Sequence, residues 1–258
     1  MDSSRSSAVP TKRLRLNGIL VTLSEPEDPS GLTFLIPGAM LSESSYMSTR
    51  QVLHHEQNQA VISFYVNVFT KSHDTYVNDV ARIYDAYCCQ RQQDGCKPFH
   101  RYNIVGHSVG GKIALLCTTV TTTTTTTRRS VAKDNNIETN NRVVSTVLAL
   151  DPVDDRPPEF TNTDRGKNRS LLRHHAATVI LTHAAATRAG AIPDAHNAAA
   201  IAATASHRVR LIDHPGAAHM AYTDNNGGPM GWMMRGGTPE GNKAAREDAQ
   251  TLIRHYIR

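Results

Sequence analysis

Gly106-His107-Ser108-Val109-Gly110-Gly111 has the Gly-x-Ser-x-Gly spacing of a nucleophile elbow, a sharp turn that joins a strand to a helix. An apolar stretch at 102–105 precedes it, and a helix-like stretch at 112–117 follows it. The serine of an elbow has strained backbone angles, and the residues two before and two after it come so close that they must be small. Glycine stands at both positions. The stretch therefore predicts a strand, a tight turn that exposes the Ser108 hydroxyl, and a helix.

Strand and helix signals alternate along the rest of the chain. Apolar or β-branched runs predict strands at 13–22, 32–36, 60–66, 142–150, 177–182 and 209–212, and composition or helical spacing predicts helices at 44–54, 74–90, 194–205 and 240–256. Such alternation is typical of an α/β protein with a mainly parallel central sheet covered by helices on both faces. Together with the elbow, it predicts an α/β-hydrolase fold.

The organisation predicted is a single domain over residues 13–258 that follows a disordered N-terminal tail at 1–12. Within it, seven consecutive threonines at 121–127 are followed by a polar stretch. Poly-threonine has no apolar periodicity with which to pack against a core, and long surface loops are tolerated at little entropic cost. We therefore expect a low-complexity insertion at about 118–141.

Composition narrows the function class. The chain has 258 residues, of which 39% are hydrophobic and 20% charged, as in a soluble globular protein. The net charge of +5 comes without a dense basic block, so we expect no nucleic-acid partner, although contact with an anionic membrane surface is compatible with it. Four cysteines without C-x-x-C spacing predict no metal site. The polar N-terminus lacks the apolar core of a secretory signal, so we expect an intracellular protein, in plastid or cytoplasm.

An acid and a base follow predicted strands in the order that a hydrolase triad requires. Asp151 comes directly after the strand at 142–150, and His219 lies in the loop after the strand at 209–212. Active sites of open α/β sheets form at the carboxyl ends of the strands. With Ser108 as nucleophile, His219 as general base and Asp151 orienting the imidazole, the chain order Ser, Asp, His predicts acyl transfer.

Two backbone N–H groups are expected to form the oxyanion hole. One is that of Val109, directly after the nucleophile, and the other comes from the loop after the strand at 32–36, with Ala39 as the expected donor. Neither metal nor organic cofactor is expected.

Other residues could fill the acid and base roles on sequence grounds. Asp154 and Asp155 follow the same strand as Asp151, and Asp194 follows the next strand. His214 lies closer to a strand end than His219 does. The residues leave these alternatives open.

Three ordered motifs resemble those of the chlorophyllase family. They are the elbow at 106–112, Leu150-Asp151-Pro152-Val153-Asp154, and His219-Met220. The family carries Gly-His-Ser-Arg-Gly-Gly, Ile-Asp-Pro-Val-Asp-Gly and Gly-His-Met-Asp, so Val109 stands where the family has arginine. The resemblance implies a serine esterase that hydrolyses the phytyl ester of chlorophyll to chlorophyllide and phytol, with a triad of Ser108, Asp151 and His219.

The expected partner is therefore a hydrophobic ester, either chlorophyll or a lipid-like ester. A broad-specificity carboxylesterase or lipase is the alternative on the same scaffold. A protein of another class, which binds a hydrophobic ligand on this fold without turnover, is the third hypothesis. The three differ in whether Ser108 reacts and with which ester.

Overall fold

An eight-stranded sheet is the centre of the computed structural model, which describes residues 8–119, 143–155, 157–161, 177–187, 192, 194–204, 209–224 and 236–258. Its strands are β1 (Lys12–Leu16), β2 (Ile19–Ser24), β3 (Gly31–Ile36), β4 (Gln59–Ser63), β5 (Arg101–His107), β6 (Val143–Leu150), β7 (Thr178–Ala184) and β8 (Val209–His214). Their order across the sheet is β1-β2-β4-β3-β5-β6-β7-β8. The pairs β1–β2 and β2–β4 are antiparallel, and all other pairs are parallel. The predicted mainly parallel sheet is confirmed.

Helices cover both faces of this sheet. They are α1 (Met47–Gln51), α2 (His73–Gln93), α3 (Val109–Thr119), α4 (Ala198–Ala203) and α5 (Pro239–Tyr256). Three 3₁₀ turns, Glu43–Tyr46, Asp194–His196 and His219–Tyr222, and a π turn, Val52–Glu56, complete the described elements. Residues of α2, α3 and α4 pack in one apolar cluster, and residues of the π turn and α5 pack in a second. Neighbouring strand residues such as Phe34 and Leu35 contribute to opposite clusters, as the alternation of side chains along a strand requires.

Local signals account for the element boundaries. The Ser72 hydroxyl caps α2 by accepting from the Thr75 N–H at 3.2 Å, and the apolar residues at helical spacing, Tyr76, Val80, Ile83 and Tyr87, are all buried. The β1–β2 hairpin turns at Asn17 and Gly18, which both have positive φ, as the turns favoured in tight hairpins require.

Several predicted boundaries differ from the structure. Val9 is buried and β1 begins at Lys12, so ordered packing starts before the end of the tail predicted at 1–12; residues 1–7 lie outside the described ranges. Helix α3 continues to Thr119, two residues into the predicted insertion, and its apolar side chains are buried as far as Cys117; residues 120–142 are not described. His214 belongs to β8 rather than to the following loop.

A helix that crosses a bilayer needs about 20 mostly apolar residues. Within the described ranges, no helix combines the length and the apolar character that a membrane span needs.

Candidate active site

The predicted elbow joins β5 to α3 at Ser108, which has a φ of 57°. Steric contact explains both flanking glycines. A Cβ on Gly106 would lie 2.3 Å from the Gly110 carbonyl oxygen, and a Cβ on Gly110 would lie 2.3 Å from the Ile36 carbonyl oxygen at the end of β3. The second approach brings the loop after β3 against the elbow. The glycines thus permit the turn itself and the contact with the neighbouring strand.

Asp151 and His219 form a buried pair next to the elbow. The His219 Nδ1 lies 2.6 Å from Asp151 Oδ2, and both side chains are only 2% exposed. Asp151 Oδ1 accepts a second hydrogen bond from the Ala184 N–H at 3.0 Å. With Nδ1 donating to the carboxylate, the Nε2 of a neutral His219 is left as a proton acceptor.

The position of Asp151 follows from the sheet. It directly follows β6, beside β5 and its elbow, and has a φ of 43°, in the left-handed region that asparagine and aspartate tolerate better than most residues. Its N–H donates to the Thr182 carbonyl on β7 at 3.0 Å. The unusual turn therefore begins while the chain is still hydrogen-bonded to β7, which directs the carboxylate toward the ends of β7 and β8.

His219 opens a 3₁₀ turn and is held by its backbone on both sides. Its N–H donates to the Thr187 hydroxyl at 2.8 Å, and its carbonyl oxygen accepts from His107 Nε2 at 2.9 Å. The hydroxyl of Thr187 donates in turn to the Ala184 carbonyl at 3.0 Å. Ala184 thus contacts both members of the acid–base pair, through its N–H and through its carbonyl.

Ser108 lies in the same site as Asp151 and His219. Its N–H donates to the Leu150 carbonyl at 3.0 Å, and the rings of His107 and His219 are stacked at an angle with centroids 4.6 Å apart. Among the described residues, no hydrogen bond joins the Ser108 hydroxyl to the His219 imidazole. Such a contact is often loose until substrate is bound. The structure therefore brings all three predicted side chains to one edge of the sheet and hydrogen-bonds two of them.

The two predicted oxyanion donors also lie at this edge. Val109 is the first residue of α3, where an N–H has no partner within the helix, and Ala39 lies in the turn after β3. Within the part of the chain that the structure describes, neither N–H donates to a protein acceptor. The flanking N–H groups are occupied: that of Gly38 donates to the Tyr46 hydroxyl at 3.0 Å, and that of Met40 to the Val66 carbonyl at 3.0 Å. Ala39 is thus the residue of this turn that retains a donor.

The sequence alternatives for the acid are placed elsewhere. Asp154 is bound to the Lys112 ammonium at 3.0 Å, and both side chains are fully buried. The carbonyl of Asp155 accepts from the same ammonium at 3.1 Å. Asp194 is exposed in a 3₁₀ turn. Asp151 is the candidate whose carboxylate is hydrogen-bonded to His219, at 2.6 Å.

The alternative base is also separate from the pair. His214 Nε2 lies 3.4 Å from the Asp248 carboxylate on α5, and burial lowers the pKa of its imidazole, with Asp248 acting in the opposite direction. It makes no hydrogen bond with Asp151 or Ser108 in the described structure.

Sequence reasoning missed Tyr46 and Thr187 as members of the site. Tyr46 is fully buried, and its hydroxyl lies 2.7 Å from His107 Nδ1. The two residues are 61 positions apart, and no motif surrounds Tyr46, so no sequence signal joins them.

His107 is expected on sequence grounds only to shape the turn or the pocket wall. Burial, with a smaller contribution from the neighbouring His219 imidazole, holds the pKa of the His107 imidazole well below its ordinary value, so His107 is neutral near pH 7.

The described residues contain no group of three or more neighbouring histidine, cysteine, aspartate or glutamate side chains that could hold a metal ion.

Comparison with known proteins identifies the fold. No family model and no curated protein matches the chain. Solved structures do: an esterase from Thermogutta terrifontis with propionate bound (TM-score 0.60, 14% identity, covering 96% of this chain and 94% of that one), Est1E from Butyrivibrio proteoclasticus (0.56, 13%, 96% and 98%) and a dienelactone hydrolase from Anabaena variabilis (0.55, 13%, 96% and 98%). At this identity the similarity concerns architecture. The chain has the α/β-hydrolase fold, as predicted.

Proposed function

We propose that this protein is a serine hydrolase of carboxylic esters. Ser108 Oγ attacks the ester carbonyl while His219 Nε2 takes its proton, and the same proton then passes to the leaving alcohol. The acyl group stays on Ser108 until a water molecule, deprotonated by His219, attacks its carbonyl. The bond to Ser108 Oγ then breaks, His219 returns the proton to Oγ, and the carboxylic acid leaves. Asp151 holds the imidazole in the required tautomer and stabilises its protonated form. The Val109 and Ala39 N–H groups bind the oxyanion of both tetrahedral intermediates.

The buried hydrogen bond of 2.6 Å between Asp151 and His219, beside an elbow with a strained serine, is the observation that carries this proposal. Strained backbone of this kind is concentrated at functional sites, where the surrounding structure maintains it. The N–H groups of Val109 and Ala39 near Ser108 have no protein acceptor among the described residues, and we propose that they bind the oxyanion that an acyl-transfer site must stabilise.

Exposed apolar side chains near this edge favour a hydrophobic ester. Of the four large hydrophobic residues that are most exposed in the described chain, three follow β3 or β4 in sequence: Met40, Tyr65 and Phe69, with Phe69 74% exposed. The Tyr65 hydroxyl donates to Met40 Sδ at 3.2 Å, and Met40 is adjacent to the proposed oxyanion donor Ala39. We call these three residues the apolar rim. It can contact a hydrocarbon chain that extends from the reacting carbonyl.

The phytyl ester of chlorophyll is the specific substrate that we propose, because the resemblance of the Asp151-to-Asp154 motif and of the elbow to chlorophyllases points to it. Val109 lacks the arginine side chain of that family, and for this reason the broad carboxylesterase remains the second candidate. Both use the same residues and differ only in the ester accepted.

Hydrolysis assays separate these functions. Purified protein is given p-nitrophenyl acetate, butyrate and palmitate, and chlorophyll a in detergent, with Ser108→Ala as the matched control. Release of chlorophyllide that is lost in Ser108→Ala supports the chlorophyll ester. Turnover of p-nitrophenyl esters alone supports the broad carboxylesterase, and turnover that survives in Ser108→Ala overturns the serine mechanism. No turnover of any ester supports the third hypothesis, a ligand-binding protein on this fold.

A further inference from the structure

A continuous chain of buried hydrogen bonds joins the loop after β3 to the backbone of His219. The Gly38 N–H lies 3.0 Å from the Tyr46 hydroxyl oxygen, that oxygen lies 2.7 Å from His107 Nδ1, and His107 Nε2 lies 2.9 Å from the His219 carbonyl. Gly38 directly precedes the proposed oxyanion donor Ala39. These hydrogen bonds therefore connect the loop that carries the proposed oxyanion donor with the backbone of the proposed general base, His219, across the elbow.

The chemistry of the groups fixes the direction of each bond. The carbonyl oxygen of His219 can only accept, so His107 Nε2 must carry a proton and donate it. The ring of a neutral His107 then has Nδ1 as an acceptor, and the Tyr46 hydroxyl donates to it. This hydroxyl is left to accept from the Gly38 N–H, which can only donate. One tautomer of His107 thus satisfies every member of the chain.

Burial makes this arrangement costly to disturb. Tyr46 is fully buried and His107 is 1% exposed, so a polar atom that loses its partner here cannot turn to bulk water. Burial also raises the pKa of the Tyr46 hydroxyl, which keeps the proton that it donates. Gly38 itself is confined, since a Cβ there would lie 3.2 Å from His107 Nδ1 and 3.2 Å from the Ser108 Cβ.

We propose that Tyr46 and His107 are positioning residues, which hold the Gly38–Ala39 donor loop and the His219 backbone at a fixed distance from Ser108. This role rests on the proposed esterase function, because it acts through the oxyanion hole and the general base. Neither side chain needs to touch the substrate. Both donors and base act mainly on the transition state, and displacements near 1 Å can reduce rates about 100-fold. Loss of the hydrogen bonds through Tyr46 and His107 is therefore expected to lower kcat more than it changes KM.

A second contact provides a matched control. The segment after His219 is also attached to the 3₁₀ turn at Glu43–Tyr46 and to α1. The Asp224 N–H donates to the Ser45 carbonyl of the turn at 2.8 Å, and the Ser48 N–H of α1 donates to an Asp224 carboxylate oxygen at 2.9 Å. Ser48→Ala removes the hydroxyl that also binds Asp224 but leaves both of these backbone bonds and the Tyr46–His107 chain in place.

The test measures kcat and KM for p-nitrophenyl butyrate in Tyr46→Phe, His107→Gln and His107→Leu, beside wild type and Ser48→Ala. Glutamine can place its amide nitrogen near the position of His107 Nε2 and keep the bond to the His219 carbonyl, whereas leucine cannot. We expect kcat to fall about 10- to 100-fold in Tyr46→Phe and His107→Leu, with KM within about threefold. His107→Gln is expected to recover a substantial part of the loss, and Ser48→Ala to resemble wild type.

The outcomes separate this proposal from the esterase function itself. If wild type hydrolyses no ester, the proposed function fails. If wild type is active and Tyr46→Phe has the same kcat, the positioning role is overturned. Equal losses in His107→Gln and His107→Leu would also contradict it, because they would indicate a requirement for ring volume rather than for the hydrogen bond. Thermal unfolding of each variant identifies any that fails to fold, and His107→Gln against His107→Leu then remains the deciding pair.

Discussion

Asp151 and Asp154 follow the same strand, both carboxylates are buried, and their surroundings differ in kind. The Asp154 carboxylate contacts the Lys112 ammonium and accepts from the backbone N–H groups of Glu159, Phe160 and Thr161, each at 2.8 Å. The Asp151 carboxylate contacts one imidazole and one N–H. Although burial opposes ionisation of Asp154, Lys112 and the N–H groups hold the pKa of its carboxyl below the ordinary value.

Asp151 and Asp154 have identical side chains, and the groups that contact each carboxylate determine whether it supports the structure or takes part in the proposed reaction. The Asp154 carboxylate is paired with the Lys112 ammonium and surrounded by N–H donors, so it takes no part in proton transfer, and its charge fixes the loop that encloses it. A carboxylate paired with a titratable ring leaves the second nitrogen of that ring available for proton transfer. Asp151 therefore belongs to the proposed reaction, and Asp154 to the support of the loop at 157–161.

Removal of the Asp151 charge is expected to have the largest effect. Asp151→Asn places a donor or a neutral oxygen against His219 Nδ1 and favours the wrong tautomer, so kcat for p-nitrophenyl butyrate should fall about 10⁴-fold. The free energy of unfolding should change far less, because no buried cation is left unpaired. Steady-state kinetics beside urea denaturation measure both quantities. A variant that keeps more than a tenth of the wild-type kcat would contradict the role of Asp151.

Breaking the Asp154–Lys112 pair should affect stability more than kcat. Asp154→Asn leaves the Lys112 ammonium buried without its counter-ion, and we expect a loss of about 3–5 kcal/mol in the free energy of unfolding. The kcat of the molecules that remain folded should stay close to that of wild type. Urea denaturation and active-site titration of the same sample measure the two effects.

A double variant sharpens this second prediction. Lys112→Met combined with Asp154→Leu removes both charges, and its loss of stability should be smaller than that of Asp154→Asn, because no isolated charge is left. An equal or greater loss in the double variant would show that packing, rather than the ion pair, maintains this region.

The sequence names Asp151 as the acid but leaves Asp154 open as an alternative, and it does not show which partner each carboxylate has, whereas it predicts most of the fold. The elbow was predictable because Gly106, Ser108 and Gly110 act on one another within a single turn. The strands and helices followed from periodicity, which reports burial locally. Asp151 and Asp154 share a motif, however, and their partners, His219 and Lys112, are brought in by the folding of other elements.

Tyr46 and Thr187 illustrate the same limit within the site. Each contributes one hydroxyl, and each contact joins residues far apart in sequence: Tyr46 with His107, and Thr187 with His219. A hydroxyl that binds a backbone atom or a ring has no characteristic spacing in sequence. Such supporting residues become visible only when the tertiary structure places them.

Acid should lower the free energy of unfolding, since the surroundings of Asp154 and those of the Asp151–His219 pair each contain a buried neutral histidine. His73 lies near Lys112 and Asp154, and burial, with a further contribution from Lys112, lowers its pKa to about 4; that of His107, near His219, is also lowered. The unfolded chain has ordinary imidazoles with a pKa near 6.5 and binds more protons in this range. The contribution of these two histidines to the free energy of unfolding should therefore be fully present above pH 6.5 and decrease as the pH falls toward 4.

The size of this acid effect is testable by substitution. We expect a decrease of about 1–2 kcal/mol in the free energy of unfolding between pH 6.5 and 4.5 from His73. In His73→Gln this part of the pH dependence should be missing when urea denaturation is repeated across the range. An unchanged pH dependence in His73→Gln would show that the imidazole is not held neutral.

The smallest effect is expected at the apolar rim, which neither aspartate contacts. Phe69→Ser removes apolar surface that is available to a long ester chain, so kcat/KM for p-nitrophenyl palmitate should fall about 5- to 10-fold relative to the acetate. Stability and acetate turnover should be unchanged, because the side chain is largely exposed. A uniform loss on both esters would place Phe69 outside the chain-binding surface.

Covalent labelling of Ser108 tests the central claim most directly. Intact protein is treated with a fluorophosphonate, and the modified residue is located by peptide mass spectrometry in wild type, Ser108→Ala, His219→Ala and Asp154→Asn. We expect a single adduct on Ser108 in wild type and in folded Asp154→Asn, and none in Ser108→Ala or His219→Ala. An unlabelled wild type, or an adduct on another residue that survives in Ser108→Ala, would contradict it.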